Sequence, residues 1–261
     1  MEIKHKKEVE SFDRMLSLME QVRKECPWDN AQTNDTLRTL TIEEIYELSE
    51  AILYRDNPNI CKELGDVLMH VVFYALIGKE NSAFDIVDVM NSLSEKLIRR
   101  HPHVFNKDKE WTAEEVAKNW EQIKLKEGNR STLSGVPAHL PSLIKAYRIT
   151  DKASGVGFDW INTDEVWDKV EEEIQELKQE LDKPNNNEKI NNEFGDVLMS
   201  LINYARFIGV NPDTALESSN RKFIRRFQYV EQKAKEQGKA LKQMTLQEMD
   251  SLWQEAKQKG L

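Results

Sequence analysis

Glu63-Leu-Gly-Asp-Val-Leu-Met69 and Glu193-Phe-Gly-Asp-Val-Leu-Met199 are one heptad written twice, with Phe194 where the first has Leu64. Working outward, each heptad is preceded at nearly the same distance by an acidic group. Glu43-Glu44-Ile-Tyr-Glu47 stands before the first and Glu172-Glu173-Ile-Gln-Glu176 before the second. Downstream, Lys96-Leu-Ile-Arg99-Arg100 is matched by Lys222-Phe-Ile-Arg225-Arg226. Upstream, Pro27-Trp-Asp29 has a looser echo in Gly157-Phe-Asp159. Chance supplies one acidic match, but three in one order at one spacing indicate a duplication. The chain therefore reads as two copies of a four- or five-helix unit. The expected division is residues 1–127 and 142–261, joined by the Gly-, Ser- and Pro-rich segment 128–141.

Helical periodicity runs through both copies, and no segment alternates with period two, so the fold class expected is all-α without a sheet. In residues 7–24, Val9, Phe12, Leu16, Met19 and Val22 recur at steps of three and four, which predicts one buried stripe. Further helices are expected near 36–54, 60–77 (ending at Gly78) and 82–100, the last capped by Ser82 and Asp85 and stopped at His101-Pro102. Another is expected at 112–126. The second copy repeats the theme at 141–153, 163–182, 188–208, 213–237 and 245–258.

Composition narrows the class. The 261 residues carry 37 basic and 46 acidic side chains, a net charge of −9. That balance argues against a protein held to nucleic acid or anionic lipid by its overall field. Ten glycines and seven prolines are few for a turn-rich sandwich or barrel. Two cysteines, Cys26 and Cys61, form no metal-like spacing and suit a reducing compartment. The opening MEIKHKKEVESF lacks an apolar signal region. The most apolar run, Val67 to Ile77, is too short to span a bilayer. A cytoplasmic protein is expected.

The acids carry the chemistry. Glu44 and Glu47 lie three apart and share a helix face, as do Glu63 and Asp66 on the next helix. A short connection makes these helices antiparallel neighbours and brings the four carboxylates together. Unscreened they would repel, and a hard divalent cation removes that cost. Oxygen ligands without Cys or His favour Mg²⁺, with Mn²⁺ as a substitute, over zinc. Glu173, Glu176, Glu193 and Asp196 repeat the arrangement. Gly65 costs about 1 kcal/mol relative to alanine inside a helix, so its presence between Glu63 and Asp66 predicts close approach of a backbone or ligand. Lys96 with Arg100, and Lys222 with Arg226, put two cations on one helical face. Metal-filled acids opposite such a pair suit a polyphosphate.

Glu-Glu-x-x-Glu, then Glu-x-x-Asp, then Lys-x-x-x-Arg resembles the MazG family of nucleoside triphosphate pyrophosphohydrolases. Cys26-Pro-Trp-Asp29, Arg100-His-Pro-His-Val-Phe105 and Val156-Gly-Phe-Asp-Trp160 are similar to further signatures of its two-copy members. The resemblance implies all-α four-helix-bundle cores completed by dimerisation. It implies Mg²⁺-dependent cleavage of NTPs and dNTPs to monophosphate and pyrophosphate, with broad base tolerance. It places metal on Glu173, Glu176, Glu193 and Asp196, and in the first copy on Glu44, Glu47, Glu63 and Asp66. Phosphate falls to Lys222 and Arg226, or to Lys96 and Arg100. The surplus carboxylates, Glu172 and Glu43, are expected to orient or deprotonate the attacking water. Both copies keep every element. Trp253, a candidate for stacking on a base, favours the second, although Trp120 occupies a comparable place after the first. The competing readings are a nucleotide sensor without turnover and a di-metal carboxylate bundle. The latter wants Glu-x-x-His, which Asp66-x-x-x-His70 only approaches.

Overall fold

The computed structural model describes residues 4–105, 111–112, 115–116 and 131–261, and every regular element among them is helical. The chain divides into two compact units, Met1–Glu110 and Trp111–Leu261. The helix expected at 112–126, with Trp120, lies almost wholly outside the described residues.

In the first unit, α1 (Lys6–Glu25) and the one-turn α2 (Pro27–Asn30) precede a long hairpin of α3 (Asn34–Tyr54) and α4 (Asn57–Glu80). Then come α5 (Ile86–Arg100) and the short α6 (Pro102–Phe105). The hairpin corner is two residues long. Arg55 takes a left-handed φ of 56° and Asp56 caps α4 by accepting from the Asn59 N–H. So tight a corner forces α3 and α4 to lie antiparallel in direct contact. Their core is Leu37, Val72, Phe73 and Ile77, closed by Met19 of α1.

Several expectations are corrected here. The predicted α1 stripe is only partly buried: Met15, Leu16 and Met19 meet α4, whereas Val9 and Val22 face solvent. Gly78 does not end α4, which runs on to Glu80. Its missing Cβ instead admits Phe84, whose carbonyl oxygen would stand 2.7 Å from such an atom. The cap of α5 is Asp85 in a reciprocal box with Asp88, and Ser82 lies outside the helix with φ 54°. Arg23 closes the unit. Buried over the Phe73 ring, it forks onto the Glu80 carboxylate at 2.7 and 2.9 Å and donates to the Asp29 and Gln32 carbonyls. One guanidinium thus fixes the Pro-Trp-Asp turn to the far end of α4.

In the second unit, α7 (Ser142–Ser154) precedes the hairpin of α8 (Thr163–Leu181) and α9 (Asn187–Phe207). A second hairpin follows, α10 (Pro212–Glu236) and α11 (Leu246–Gln258). Residues 131–140, part of the segment expected as a linker, are ordered turns tied to α7. Lys152, itself buried, donates to the Thr132 carbonyl, and Lys145 to that of Ala138. Val166 and Val170 of α8 and Val197 and Ile202 of α9 are buried. Val230, Ala234, Met244 and Leu252 form the core of the second hairpin. The turn holding Asp159 is fixed to α9 by Arg206, at 2.5 and 3.0 Å. Both copies therefore pin this turn with an arginine, from α1 in one and from α9 in the other.

Two outcomes follow for stability. Leu37→Ala removes a nearly inaccessible side chain from the first core and should cost about 3 kcal/mol in urea denaturation. At the start of α11, Glu248 completes a capping box with Thr245 and pairs with Lys239. The Lys239 ammonium, then the Thr245 backbone and hydroxyl, hold its carboxyl down to about 2. Because the folded value lies below the unfolded one, this contribution is complete above about 4.5 and is lost as pH falls toward about 2. Acid titration of Glu248→Gln, followed by helical circular dichroism, should lack that component.

Candidate metal and nucleotide site

The two hairpins decide which acids meet. On α3 and α4, carboxylate oxygens of Glu44, Glu63 and Asp66 all lie within 4.8 Å of one another. On α8 and α9 the same holds for Glu173, Glu193 and Asp196. Spacing of three along α4 and α9 stacks Glu and Asp on one face, and the tight antiparallel pairing sets the third carboxylate against them. Glu47 and Glu176, expected as the fourth member of each set, stand outside these groups of three and act on them at longer range. Burial, then the charges of Asp66, Glu47 and Glu63, push the Glu44 carboxyl above its ordinary value. Burial, then Glu176, Asp196 and Glu173, do the same to Glu193. Glu43 and Glu172 project to solvent one residue before the clusters.

The donor set suits a divalent ion. It is all oxygen, as a hard cation prefers. Glu63 is only 5% exposed, and its Oε2 is buried without a hydrogen-bond partner. A carboxylate oxygen so placed is costly unless a cation reaches it. Glu173, the deepest acid of the second copy, is 8% exposed.

The basic residues are placed differently from expectation. The strongest charges acting on Glu193 are all acidic, and the ammonium groups touching the clusters are Lys62 and Lys169. Lys62 is 2.8 Å from Glu63 and 3.8 Å from Asp66. Lys169 is 2.8 Å from Glu173 and 3.0 Å from Glu172. These contacts raise both ammonium groups above their ordinary value, each chiefly through its hydrogen bonds to glutamate. Lys96 and Lys222 are exposed on α5 and α10. Arg226 donates to the Leu261 carbonyl at 2.7 Å and lies over the Trp253 ring. Trp253 is partly buried with its ring 5.0 Å from that of Phe223, so it packs α11 onto α10.

Sequence reasoning missed a second layer. In the first copy the Thr41 hydroxyl joins three groups, the Leu37 carbonyl at 2.9 Å, the Tyr74 hydroxyl at 2.7 Å and His70 Nδ1 at 2.8 Å. His70 is buried, which pushes its imidazole below the ordinary value against the opposing pull of Asp66. Its Nδ1 is engaged by Thr41, and it is not a member of the acid cluster. The second copy has Val170 for Thr41 and Ser200 for His70, and Tyr204 packs edge-on to Trp167 at 5.0 Å. The signal was present, since Thr41 and His70 interrupt otherwise apolar faces. Gly65 and Gly195 correct another expectation: no atom lies within 4 Å of where a Cβ would sit. They face outward beside exposed Leu64, Leu68, Phe194 and Leu198.

Fold and site together define an all-α protein built on a duplicated helical hairpin, each copy carrying a three-carboxylate cluster fit for a divalent cation. The profile of the MazG nucleotide pyrophosphohydrolase domain matches residues 32–105 and 163–231. Over 251 residues the chain is 41% identical to the Thermotoga maritima nucleoside triphosphate pyrophosphohydrolase/pyrophosphatase MazG, covering 94% of this chain and 95% of that one. Over 258 residues it is 38% identical to a nucleoside triphosphate pyrophosphohydrolase of Escherichia coli K12, covering 96% and 98%. The uncharacterized protein YabN of Bacillus subtilis is 44% identical over 236 residues, which is 89% of this chain and 48% of that one. The chain belongs to the MazG nucleotide pyrophosphohydrolase family.

The polar hub gives a direct test. Thr41→Val copies the second unit's residue into the first and leaves His70 Nδ1 and Tyr74 without their partner, so it should destabilise the chain by about 1–3 kcal/mol. The same exchange with His70→Ser added should recover part of that loss. Chemical denaturation of the two variants reads both numbers.

Proposed function

We propose that this protein hydrolyses nucleoside and deoxynucleoside triphosphates between the α and β phosphates, releasing the monophosphate and pyrophosphate, with Mg²⁺ as its metal and broad tolerance of the base. The observation that carries the reading is the pair of acid clusters. Each holds three carboxylates within 4.8 Å, and in each the deepest glutamate is almost inaccessible to water. Such a concentration of negative charge is stable only beside cations, and a substrate that brings phosphates on a divalent ion supplies them in the right place.

When bound, the ion lowers the pKa of a coordinated water and offsets charge on the phosphate oxygens. Glu44, Glu63 and Asp66, and likewise Glu173, Glu193 and Asp196, would hold it, with Glu47 and Glu176 adding charge from the next turn. Glu43 and Glu172, exposed beside the clusters, take the proton of the attacking water. Lys96, Arg100, Lys222 and Arg226 bind the departing phosphates, Arg226 by exchanging its carbonyl partner for a phosphate oxygen. The two copies correspond to residues 1–127 and 142–261.

The working unit is a homodimer. Leu64, Leu68 and Val71 line an exposed face of α4, and Phe194, Leu198 and Leu201 one of α9. Met90, Leu93 and Leu97 form an exposed stripe on α5. Gly65 and Gly195 sit on the first two faces without a Cβ, which permits close approach of another helix. Contiguous apolar surface of this kind favours burial at roughly 25 cal/mol per Å². No helix among the described residues is long and apolar enough to cross a membrane.

Incubation with a panel of triphosphates and Mg²⁺, resolved by chromatography, should yield monophosphate and pyrophosphate. Diphosphate with orthophosphate would point to another hydrolase, and no product to a sensor. Glu173→Gln with Asp196→Asn, in protein also carrying Glu44→Gln and Asp66→Asn, should lower turnover at least about 100-fold. Unchanged turnover would refute the site. Disabling each set separately reads which copy works, the second being expected to dominate. Sedimentation at micromolar concentration should give twice the 30.5 kDa chain mass.

A further inference from the structure

Each acid cluster already touches a cation, and the two cations do not come from equivalent positions. Lys62 immediately precedes Glu63 on α4, and the corresponding residue of the second copy is Asn192. Lys169 lies one turn before Glu173 on α8, and the corresponding residue of the first copy is Leu40. Duplication therefore does not explain the pair, because each lysine is peculiar to its own copy.

Their spacing along the helix is that of ordinary i,i+3 and i,i+4 pairs, but each lysine ends on a buried carboxylate of a cluster. Lys62 lies one turn before Asp66, 3.8 Å away, and bends toward its neighbour Glu63 at 2.8 Å. Lys169 bridges two carboxylates, Glu172 at 3.0 Å and the buried Glu173 at 2.8 Å. Both ammonium groups rest on the deepest carboxylate of their copy, where the negative potential is strongest.

We propose that Lys62 and Lys169 are resident counter-ions of the two clusters, displaced when a divalent ion enters, and that each sets the metal affinity of its own copy. This rests on the metal reading above. The two competitors are unequal. The Lys62 side chain is 63% exposed, and it leaves the buried Oε2 of Glu63 without a partner. The Lys169 side chain is 34% exposed, and its two carboxylate contacts, at 2.8 and 3.0 Å, are closer than the 2.8 and 3.8 Å of Lys62. The second copy therefore carries the stronger internal competitor.

The test is titration of the full chain with Mn²⁺ alone, without nucleotide, following free Mn²⁺ by electron paramagnetic resonance. It is repeated in Glu44→Gln/Asp66→Asn protein to isolate the second site and in Glu193→Gln/Asp196→Asn protein to isolate the first. Lys169→Met should tighten the second site about tenfold and Lys62→Met the first about threefold, since each removes a unit charge within 4 Å of the ligands. Lys169→Arg keeps the charge and should stay near the parent. Lys178→Met, an exposed change on the same helix, should move affinity less than twofold and so gauges the effect of net charge alone. The metal-free melting temperature of Lys169→Met should fall and its rise on adding Mn²⁺ should exceed that of the parent. Affinity that Lys169→Met leaves unchanged, or moves no more than Lys178→Met does, overturns this inference while the metal sites stand. Absence of Mn²⁺ binding in the parent and in every variant overturns the metal reading itself.

Discussion

Three carboxylates drawn together between two antiparallel helices are the constraint on which the other features depend. Separately, each would prefer water. Held within 4.8 Å, and with one of them buried, they repel one another and resist ionisation, as the raised carboxyls of Glu44 and Glu193 record. A hairpin can sustain that strain only if its geometry is secured elsewhere. The two-residue corner at Arg55 and Asp56, the Val72 and Phe73 core, and the Arg23 fork to Glu80 secure it in the first copy. Val166 and Val170, with the Arg206–Asp159 pair, secure it in the second.

The two copies meet this constraint with different chemistry. The first surrounds its acids with a polar hub, Thr41 with His70 and Tyr74, and turns Lys62 back from α4. The second replaces the hub with Val170 and an aromatic pair and sends Lys169 in from α8. Buried polar networks cost little when every member is paired, so the change from hub to apolar packing is open to a duplicated unit as long as it is complete. What neither copy alters is the Glu-x-Gly-Asp face. Around that face the copies diverge in the layer behind the acids and in the cation beside them.

A third property is the amount of apolar surface left on the helices that carry the acids. Leu64, Leu68, Phe194 and Leu198 are exposed one or two residues away from Glu63, Asp66, Glu193 and Asp196. A helix with acids on one face and leucines on the next is amphipathic toward two partners, its hairpin mate and a further helix. A helix laid over the leucines would also close the surroundings of the carboxylates.

Much of this was legible in the amino-acid order. Helix limits followed from periodicity, proline and capping residues, usually within a residue or two, because they are set by neighbours along the chain. The duplication was legible because identical heptads need no structure to be recognised, and the pairing of Glu63 with Asp66 because a spacing of three is a property of any helix. Tertiary structure alone decided that Glu44 joins the cluster while Glu47 stands back, that neither Lys96 nor Lys222 touches the acids, that Thr41 ties His70 to Tyr74, and that Gly65 faces open space. Each of these depends on the rotation of one helix about its axis relative to another and on the rotamer that packing then permits, and no spacing within a single helix encodes either.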